Sequence, residues 1–231
     1  MGVLVESSDV PYSVSMTRSS VYDTVFKRLV DLSLALVISI FCLPIIAVAA
    51  LLIMLDNPGS PIFKQKRVGL NGQVFDLYKL RTMYIGTEEQ NFRTQDKDDR
   101  VTRMGGFLRD AKLDELPQLW NVVKGEMSLI GPRPLSAEES KHIEQLGYST
   151  DTPGFYPKVR PGLTGIEQIN RSFFLPYRER FELNHLYEAN LSWSLDWYVF
   201  LKSLAICPYV SILTIGAALT EVVILFIYYV R

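Results

Sequence analysis

Residues 32–55 run for 24 positions without a charge. About 20 helical residues cross the hydrocarbon core of a bilayer. Any fold for this chain must therefore give that stretch apolar surroundings. Pro44 lies in its middle, where it deletes a backbone hydrogen bond and bends a helix. Basic residues flank both ends, Lys27 and Arg28 before it and Lys64, Lys66 and Arg67 after it. Lys and Arg mark the cytoplasmic side of a membrane. With both flanks basic, the economical topology is a helix that enters the membrane, breaks near Pro44 and returns to the same face. An ordinary kinked spanning helix stays open as the alternative, because proline is tolerated there. Asp31 falls at headgroup level, within reach of Lys27 or Arg28.

The remaining chain is more polar. A charged fraction of 21% beside a mean hydropathy of +0.12 fits a polar domain joined to long apolar segments. The length of 231 residues suffices for one good-sized domain. A net charge of −1 provides no general basic field for nucleic acid. Cys42 and Cys207 each sit in an apolar run, which excludes a disulfide framework or a CxxC metal site and fits a reducing compartment. Residues 1–20 have no clear period and read as a mobile leader. They are no signal peptide, because the apolar run that follows is too long for one.

The expected class is α+β, mainly α. A re-entrant membrane helix over 21–57 precedes a small cytoplasmic catalytic domain over 58–202, with a short β-hairpin and interfacial amphipathic helices. An apolar, membrane-associated tail follows over 203–231. The cluster Asp56-Asn57-Pro58-Gly59-Ser60-Pro61 ends the membrane element. Asn71-Gly72 between β-prone runs at 62–68 and 74–83 reads as a hairpin, whose second arm carries Lys79 and Arg81. Residues 85–100 read as a surface loop. It contains Asp96-Lys97-Asp98-Asp99, either a solvated charge run or a D-x-D pair of the kind that holds a metal on a nucleotide sugar.

Residues 101–112 read as a helix with Arg103 and Arg109, the latter able to fold back towards Asp114. The spacing predicts a helix over 113–125. Asp114 is its N-cap, Pro117 sits in the first turn, and Leu116, Leu119, Trp120 and Val123 form one apolar face. Gly125 is the stop. The positive helix end favours an ionised Asp114. Asp114 and Glu115 either only cap this helix or do chemistry. A strand-like run then ends in Gly131-Pro132-Arg133-Pro134, where two prolines stiffen the backbone around a phosphate-suited guanidinium. Arg160-Pro161-Gly162-Leu163-Thr164-Gly165, followed by Gln168, repeats that theme, and its glycines let a ligand approach the backbone.

Polar helices are expected over 136–146 and 177–190. His142 and His185 are isolated surface residues. Trp193, Trp197 and Tyr198 place a helix over 191–202 on the bilayer. Beyond it, Pro208, Gly216 and Glu221 interrupt the tail, which partial insertion, a second break or packing against another chain, a homodimer included, would accommodate.

Taken in order, the broken apolar helix, Tyr78-Lys79-Leu80-Arg81-Thr82-Met83, Leu113-Asp114-Glu115-Leu116-Pro117-Gln118, Gly131-Pro132-Arg133-Pro134 and Arg160-Pro161-Gly162-Leu163-Thr164-Gly165 closely resemble the bacterial sugar transferase family, the monotopic phosphoglycosyl transferases. The resemblance runs from about Lys27 to about Leu201. It implies transfer of a sugar-1-phosphate from a UDP-sugar to polyprenyl (undecaprenyl) phosphate, with release of UMP, on the cytoplasmic face of the bacterial inner membrane. It implies Asp114 as nucleophile, Glu115 as its partner in holding Mg²⁺ or managing the acceptor, and Arg109 as orienting residue. Lys79, Arg81, Arg133, Arg160 and Gln168 become substrate-binding residues. Lys27 and Arg28 anchor the membrane element near headgroups, with Pro44 at its break. The chain departs from the family in Leu43-Pro44, where Ser usually precedes the proline. It departs again in Ile166-Glu167-Gln168-Ile169-Asn170-Arg171-Ser172, where the family often has Trp-Ala-Gln-Val-Asn-Gly-Arg. Two other readings remain: a metal-dependent glycosyltransferase using Asp96 and Asp98, and a non-catalytic membrane scaffold.

Overall fold

The computed structural model describes residues 22–87, 98–149, 151–169 and 175–206. The expected leader, Asp96, and the tail from Cys207 onwards lie outside the described residues. The class is mixed α and β, mostly helical. A π-helical turn at Tyr22–Phe26 leads into α1, Lys27–Asp56. The hairpin follows as β1 (Ile62–Val68) and β2 (Val74–Leu80), joined through a 3-10 turn at Leu70–Gly72. Asn71 and Gly72 both take positive φ there, the backbone that Asn-Gly adopts most easily.

Next come α2 (Arg103–Asp110), a 3-10 turn at Leu113–Glu115, α3 (Gln118–Lys124), β3 (Ser128–Ile130) and β4 (Leu135–Ser136). Helix α4 (Ala137–Gln145) starts on the side chain of Ser136, which accepts from the Glu139 amide. The rest is β5 (Gly162–Thr164), α5 (Ile166–Ile169), α6 (Tyr177–Ala189) and α7 (Trp193–Ile206). Strand β4 extends the hairpin into an antiparallel sheet of order β2-β1-β4, and β3 pairs with β5 in parallel.

Helix α1 buries a stripe that runs nearly its whole length: Lys27, Asp31, Ala35, Cys42, Ile45, Ala49, Leu52 and Ile53. Steps of three, four and seven keep these on one face. Ala35 and Cys42 pack with Leu77, Leu119, Val122 and Met127. Ala49 and Ile53 pack with Leu80 and Leu108. Leu36, Val37, Ile40, Phe41, Leu43, Leu51 and Leu55 are exposed. Thus α1 is apolar all round, with one side packed on the domain and another open. Helix α1 runs through Pro44 as one helical element. Proline removes only one ladder bond here, and packing on both sides of it keeps the chain helical.

Two expectations around α1 are corrected. Asp31 does not pair with Lys27 or Arg28 at headgroup level. It is buried, and it accepts from the Ser128 hydroxyl at 2.7 Å and the Leu129 amide at 3.2 Å. Lys27 is buried as well, so its ammonium does not face headgroups. It meets Asp196 of α7 at 2.5 Å, and Tyr22 and Tyr187 donate to the same carboxylate at 2.6 Å each. A buried ammonium needs a fixed counter-charge, and α7 supplies it closer than a lipid surface could.

Asp196→Ala leaves the Lys27 charge buried without that partner. The expected loss is about 3 kcal/mol of stability, read as a lower melting temperature in detergent and unchanged by anionic lipid.

Candidate active site

Alternation along the hairpin places Lys79 and Leu77 on the same face of β2. The antiparallel register sets Phe63 opposite Lys79, Gln65 opposite Leu77 and Arg67 opposite Phe75. Arg67 therefore shares the Lys79 face. The expected helix over 113–125 is in two pieces. Lys112 takes a left-handed conformation (φ 55°), Leu113–Glu115 is a 3-10 turn, and α3 begins after Pro117. Asp114 makes no capping bond; its place inside that turn frees the carboxylate for other partners. Gly125 does end α3, at φ 84°. The buried face of α3 carries Leu119 and Val122, while Trp120 is 58% exposed, contrary to the apolar face expected for it. Leu116 and Val123 pack beside Leu119 as expected, so Trp120 alone leaves that face.

The turn aims both carboxylates at β2. Lys79 Nζ lies 2.8 Å from Glu115 Oε1 and 4.0 Å from Asp114 Oδ2. Beside this pair opens a cleft lined by Arg67, Lys79, Glu115, Gln118, Arg133 and Gln168, among others. Burial pushes the Glu115 carboxyl up, but Lys79, Arg133 and Lys112 outweigh it and hold it at about 2. Burial also raises Asp114, Lys79 opposes that, and the neighbouring Glu115 charge adds to the rise, so its carboxyl ends above its ordinary value. Two adjacent carboxyls are thus pushed in opposite directions from their ordinary values. Burial lowers Arg109, with Asp114 as its strongest opposing charge, and its Nε donates to Thr82 Oγ1 at 2.8 Å.

Of the residues expected to bind substrate, Lys79, Arg133 and Gln168 line the cleft. Gln168 Oε1 is buried with no hydrogen-bond partner. The other two face elsewhere. Arg81 is buried and donates to the Asn57 carbonyl, holding the turn that leaves α1. Arg160 Nε donates to the Gly125 carbonyl at 2.9 Å, and Arg28 donates to Val122 and Val123 carbonyls at 2.6 and 2.9 Å. Arg28 and Arg160 therefore cap the carbonyl end of α3, where partners are lacking and the dipole is negative. Arg28 serves the protein interior here and not a headgroup. Pro44 is exposed on α1.

Sequence reading missed Arg67 and Gln118. Arg67 entered only as a flanking charge, though hairpin alternation was enough to set it beside Lys79. It holds Gln65 and the Pro134 carbonyl. Burial, and then the Arg133 guanidinium, pull it down to about 10 against Glu139, Glu115 and Glu138. Two half-buried arginines that repel one another at the cleft wall are a place where an anion is favourable.

Among the described residues no group of three or more His, Cys, Asp or Glu could hold a metal by itself. Asp114 and Glu115 still fit Mg²⁺, which takes hard oxygens from one or two carboxylates and completes its shell with water and substrate phosphates. Of the D-x-D pair, Asp98 is engaged on both oxygens by Arg100, at 2.8 and 2.5 Å.

The bacterial sugar transferase profile matches residues 22–208. The chain belongs to this family. It is 41% identical over 152 residues to a Bacillus subtilis protein provisionally named an undecaprenyl-phosphate N-acetylgalactosaminyl 1-phosphate transferase, covering 65% of this chain and 82% of that one. It is 42% identical over 146 residues to a UDP-glucose:undecaprenyl-phosphate glucose-1-phosphate transferase of Caulobacter vibrioides, covering 62% of this chain and 53% of the relative. The same-named protein of Escherichia coli is 39% identical over 158 residues, covering 67% of this chain and 33% of the relative. The match therefore spans about half of the Caulobacter protein and a third of the Escherichia coli one.

An ionised Asp114 is disfavoured in the fold, so the neutral Asp114→Asn should melt at a higher temperature than wild type at pH 7. For a carboxyl raised above its ordinary 3.8, that penalty is present where the folded carboxyl is ionised and vanishes once the unfolded chain is also protonated. The gain should therefore disappear in melts below that value.

Proposed function

We propose that this chain is a membrane-bound phosphoglycosyl transferase. It moves a sugar-1-phosphate from a UDP-sugar to undecaprenyl phosphate, releases UMP, and starts assembly of a bacterial glycan or exopolysaccharide. The observation that carries this reading is the placement of the buried Asp114 carboxylate 4.0 Å from Lys79 and next to Glu115, which with Lys79 lines a cleft walled by Arg67 and Arg133. A nucleophile for phosphorus and cations for a diphosphate are adjacent, and phosphoryl transfer needs little else.

An Asp114 oxygen attacks the phosphorus that bears the sugar. The bond from that phosphorus to the bridging oxygen breaks, and UMP leaves with that oxygen. An oxygen of undecaprenyl phosphate then attacks the same phosphorus, the aspartyl–phosphorus bond breaks, and Asp114 returns as a carboxylate. Covalent catalysis thus splits one transfer into two. Arg67, Arg133 and Lys79 hold the anionic donor. Glu115, ionised at all physiological pH values, keeps Lys79 beside the reacting carboxylate. Asp114 and Glu115 are the residues that would hold Mg²⁺, which would supply positive charge to neutralise the diphosphate.

The two substrates arrive from different phases, and α1 supports an arrangement for that. An upright spanning helix projects clear of a domain that stays in water. Here the domain packs along α1 from Lys27 to Ile53 while the opposite face exposes leucines, isoleucine and phenylalanine. This favours a helix that dips into one leaflet, with both basic flanks and the catalytic domain on the cytoplasmic side. Trp193, Trp197 and Leu201 of α7, each about half exposed at four-residue spacing, suit the headgroup layer. Trp193 also packs edge-on against Tyr22 and Phe26 at the start of α1.

Intact-protein mass spectrometry tests this directly. Incubation with UDP-glucose, UDP-galactose or UDP-N-acetylgalactosamine and Mg²⁺, without lipid, should add the mass of one phosphosugar with the correct donor and none to Asp114→Asn. Turnover with lipid in that variant should fall by at least about 10³-fold. Absence of adduct with UDP as the product would support direct glycosyl transfer instead. Full activity of Asp114→Asn would leave the carboxylate a structural group.

A further inference from the structure

Trp120 is 58% exposed, although α3 is packed on two of its sides. On one side Leu116 and Val123 share a cluster with Ala35 and Ile38 of α1. On another, Asn121 is bonded to the backbone of β2. Trp120 comes four residues after Leu116 and three before Val123, so it stands at the edge of the seam between α3 and α1. The helix across that seam exposes Val37, Ile40 and Phe41.

Away from the seam, basic residues begin. Lys124 lies one turn beyond Trp120 on the same row of α3, and its Nζ sits 5.5 Å from the centre of the Tyr78 ring. Lys64 faces Tyr78 across the hairpin, with its Nζ 5.6 Å from the same ring centre. Lys66 follows on that face of β1. Lys66 pairs with Asp76 at 2.7 Å and Lys124 with Glu126 at 2.5 Å, while Lys64 has no carboxylate partner among the described residues. Lys64, Lys66 and Lys124 against Asp76 and Glu126 leave a positive excess.

Outward from α1, the surface thus passes from aliphatic residues to Trp120, and then to a tyrosine held between two lysines. A bilayer has the same profile. Hydrocarbon gives way to a layer where Trp and Tyr concentrate, and then to headgroups that are anionic in the cytoplasmic leaflet. A protein interface instead rings its apolar centre with polar residues. Here the lysines lie on one side of the aromatics and the apolar helix on the other.

We propose that Trp120, Tyr78, Lys64 and Lys124 form a second membrane contact, separate from α7. Trp120 lies at headgroup level and the lysines engage anionic lipid phosphates. The inference rests on α1 entering the bilayer and not on the chemistry assigned to Asp114. Tyr78 and Lys79 are neighbours on β2 and point to opposite faces. The contact therefore holds against the membrane the strand whose other face lines the cleft.

The chain has three tryptophans, Trp120, Trp193 and Trp197, so fluorescence can read each patch in the full chain. Trp193→Phe with Trp197→Phe leaves Trp120 alone, and keeps a ring against Tyr22 and Phe26. Trp120→Phe with Trp197→Phe leaves Trp193 alone. Tyrosine at the substituted positions serves if a phenylalanine protein does not fold. Each protein is placed in nanodiscs of phosphatidylcholine and phosphatidylglycerol, with or without bromine on the acyl carbons nearest the glycerol. Brominated lipid should quench Trp120 to within about 2-fold of its effect on Trp193, and aqueous iodide should quench Trp120 little. Lys64→Gln with Lys124→Gln should lower lipid quenching of Trp120 by at least about 2-fold and leave Trp193 unchanged. Replacing phosphatidylglycerol by phosphatidylcholine should do the same. Trp193 quenched by lipid while Trp120 is quenched only by iodide would put the patch in water and overturn the proposal. Trp120 shielded from both quenchers would mean that a second copy or another protein segment covers it, which overturns the proposal as well. Lipid quenching that survives loss of both lysines and of phosphatidylglycerol would overturn the role given to anionic lipid. If lipid quenches neither tryptophan, the membrane placement of α1 and α7 on which the proposal rests is what fails.

Discussion

Asn121 is fully buried in α3, and its side chain joins two elements that are far apart in sequence. Its Oδ1 accepts from the Tyr78 amide at 3.1 Å, and its Nδ2 donates to the Asp76 carbonyl at 2.6 Å and to Glu126 at 2.7 Å. An amide that satisfies backbone groups of β2 on both its donor and its acceptor sides sets α3 against that strand in one register only. The dyad turn immediately precedes α3, and Lys79 immediately follows Tyr78. Fixing α3 to β2 therefore fixes Asp114 and Glu115 relative to Lys79. The site's short distances follow from that docking more than from the dyad's own conformation.

The membrane helix takes part in the same construction. Ala35 and Cys42 contribute to the core that also holds Leu119 and Val122 of α3, and Arg28 ties the first turn of α1 to the far end of α3. At the entry to α1, Lys27, Tyr22 and Tyr187 converge on Asp196, so α7 is clasped to the same helix. A long apolar helix that is open on one side is thus also the wall on which the elements of the candidate site are assembled. Small residues at 35 and 49 let those elements approach closely.

Charge is layered around the cleft. Lys79, Arg67 and Arg133 face it. Behind them Arg180 of α6 bridges Glu139 of α4 and Glu167 of α5, at 3.0 and 2.8 Å. Glu139 supports the charged state of Arg67, and Arg133 in turn favours ionised Glu167. Alternating signs in successive layers keep clustered arginines charged in surroundings that disfavour them. The close-packed glycines add rigidity: a Cβ on Gly162 would meet the Gly131 amide nitrogen at 2.1 Å. The backbone crossing of β3 and β5 that carries Arg133 and Gln168 therefore leaves little room to shift.

Local chemistry alone determined the elements of this protein. The uncharged run, the Asn71-Gly72 hairpin, the Ser136-started helix and the Gly125 stop follow from periodicity, turn residues and caps, which act over a few positions. The resemblance likewise pointed to Asp114 and Glu115 as the reacting pair. Partnerships were another matter. That Arg28, Arg81 and Arg160 serve backbone carbonyls, that Lys27 belongs to Asp196 and not to lipid, and that Arg67 enters the cleft depend on which elements pack together. A charged side chain of several rotatable bonds takes whichever partner the assembled fold brings within reach, and that is decided by contacts between residues a hundred or more positions apart.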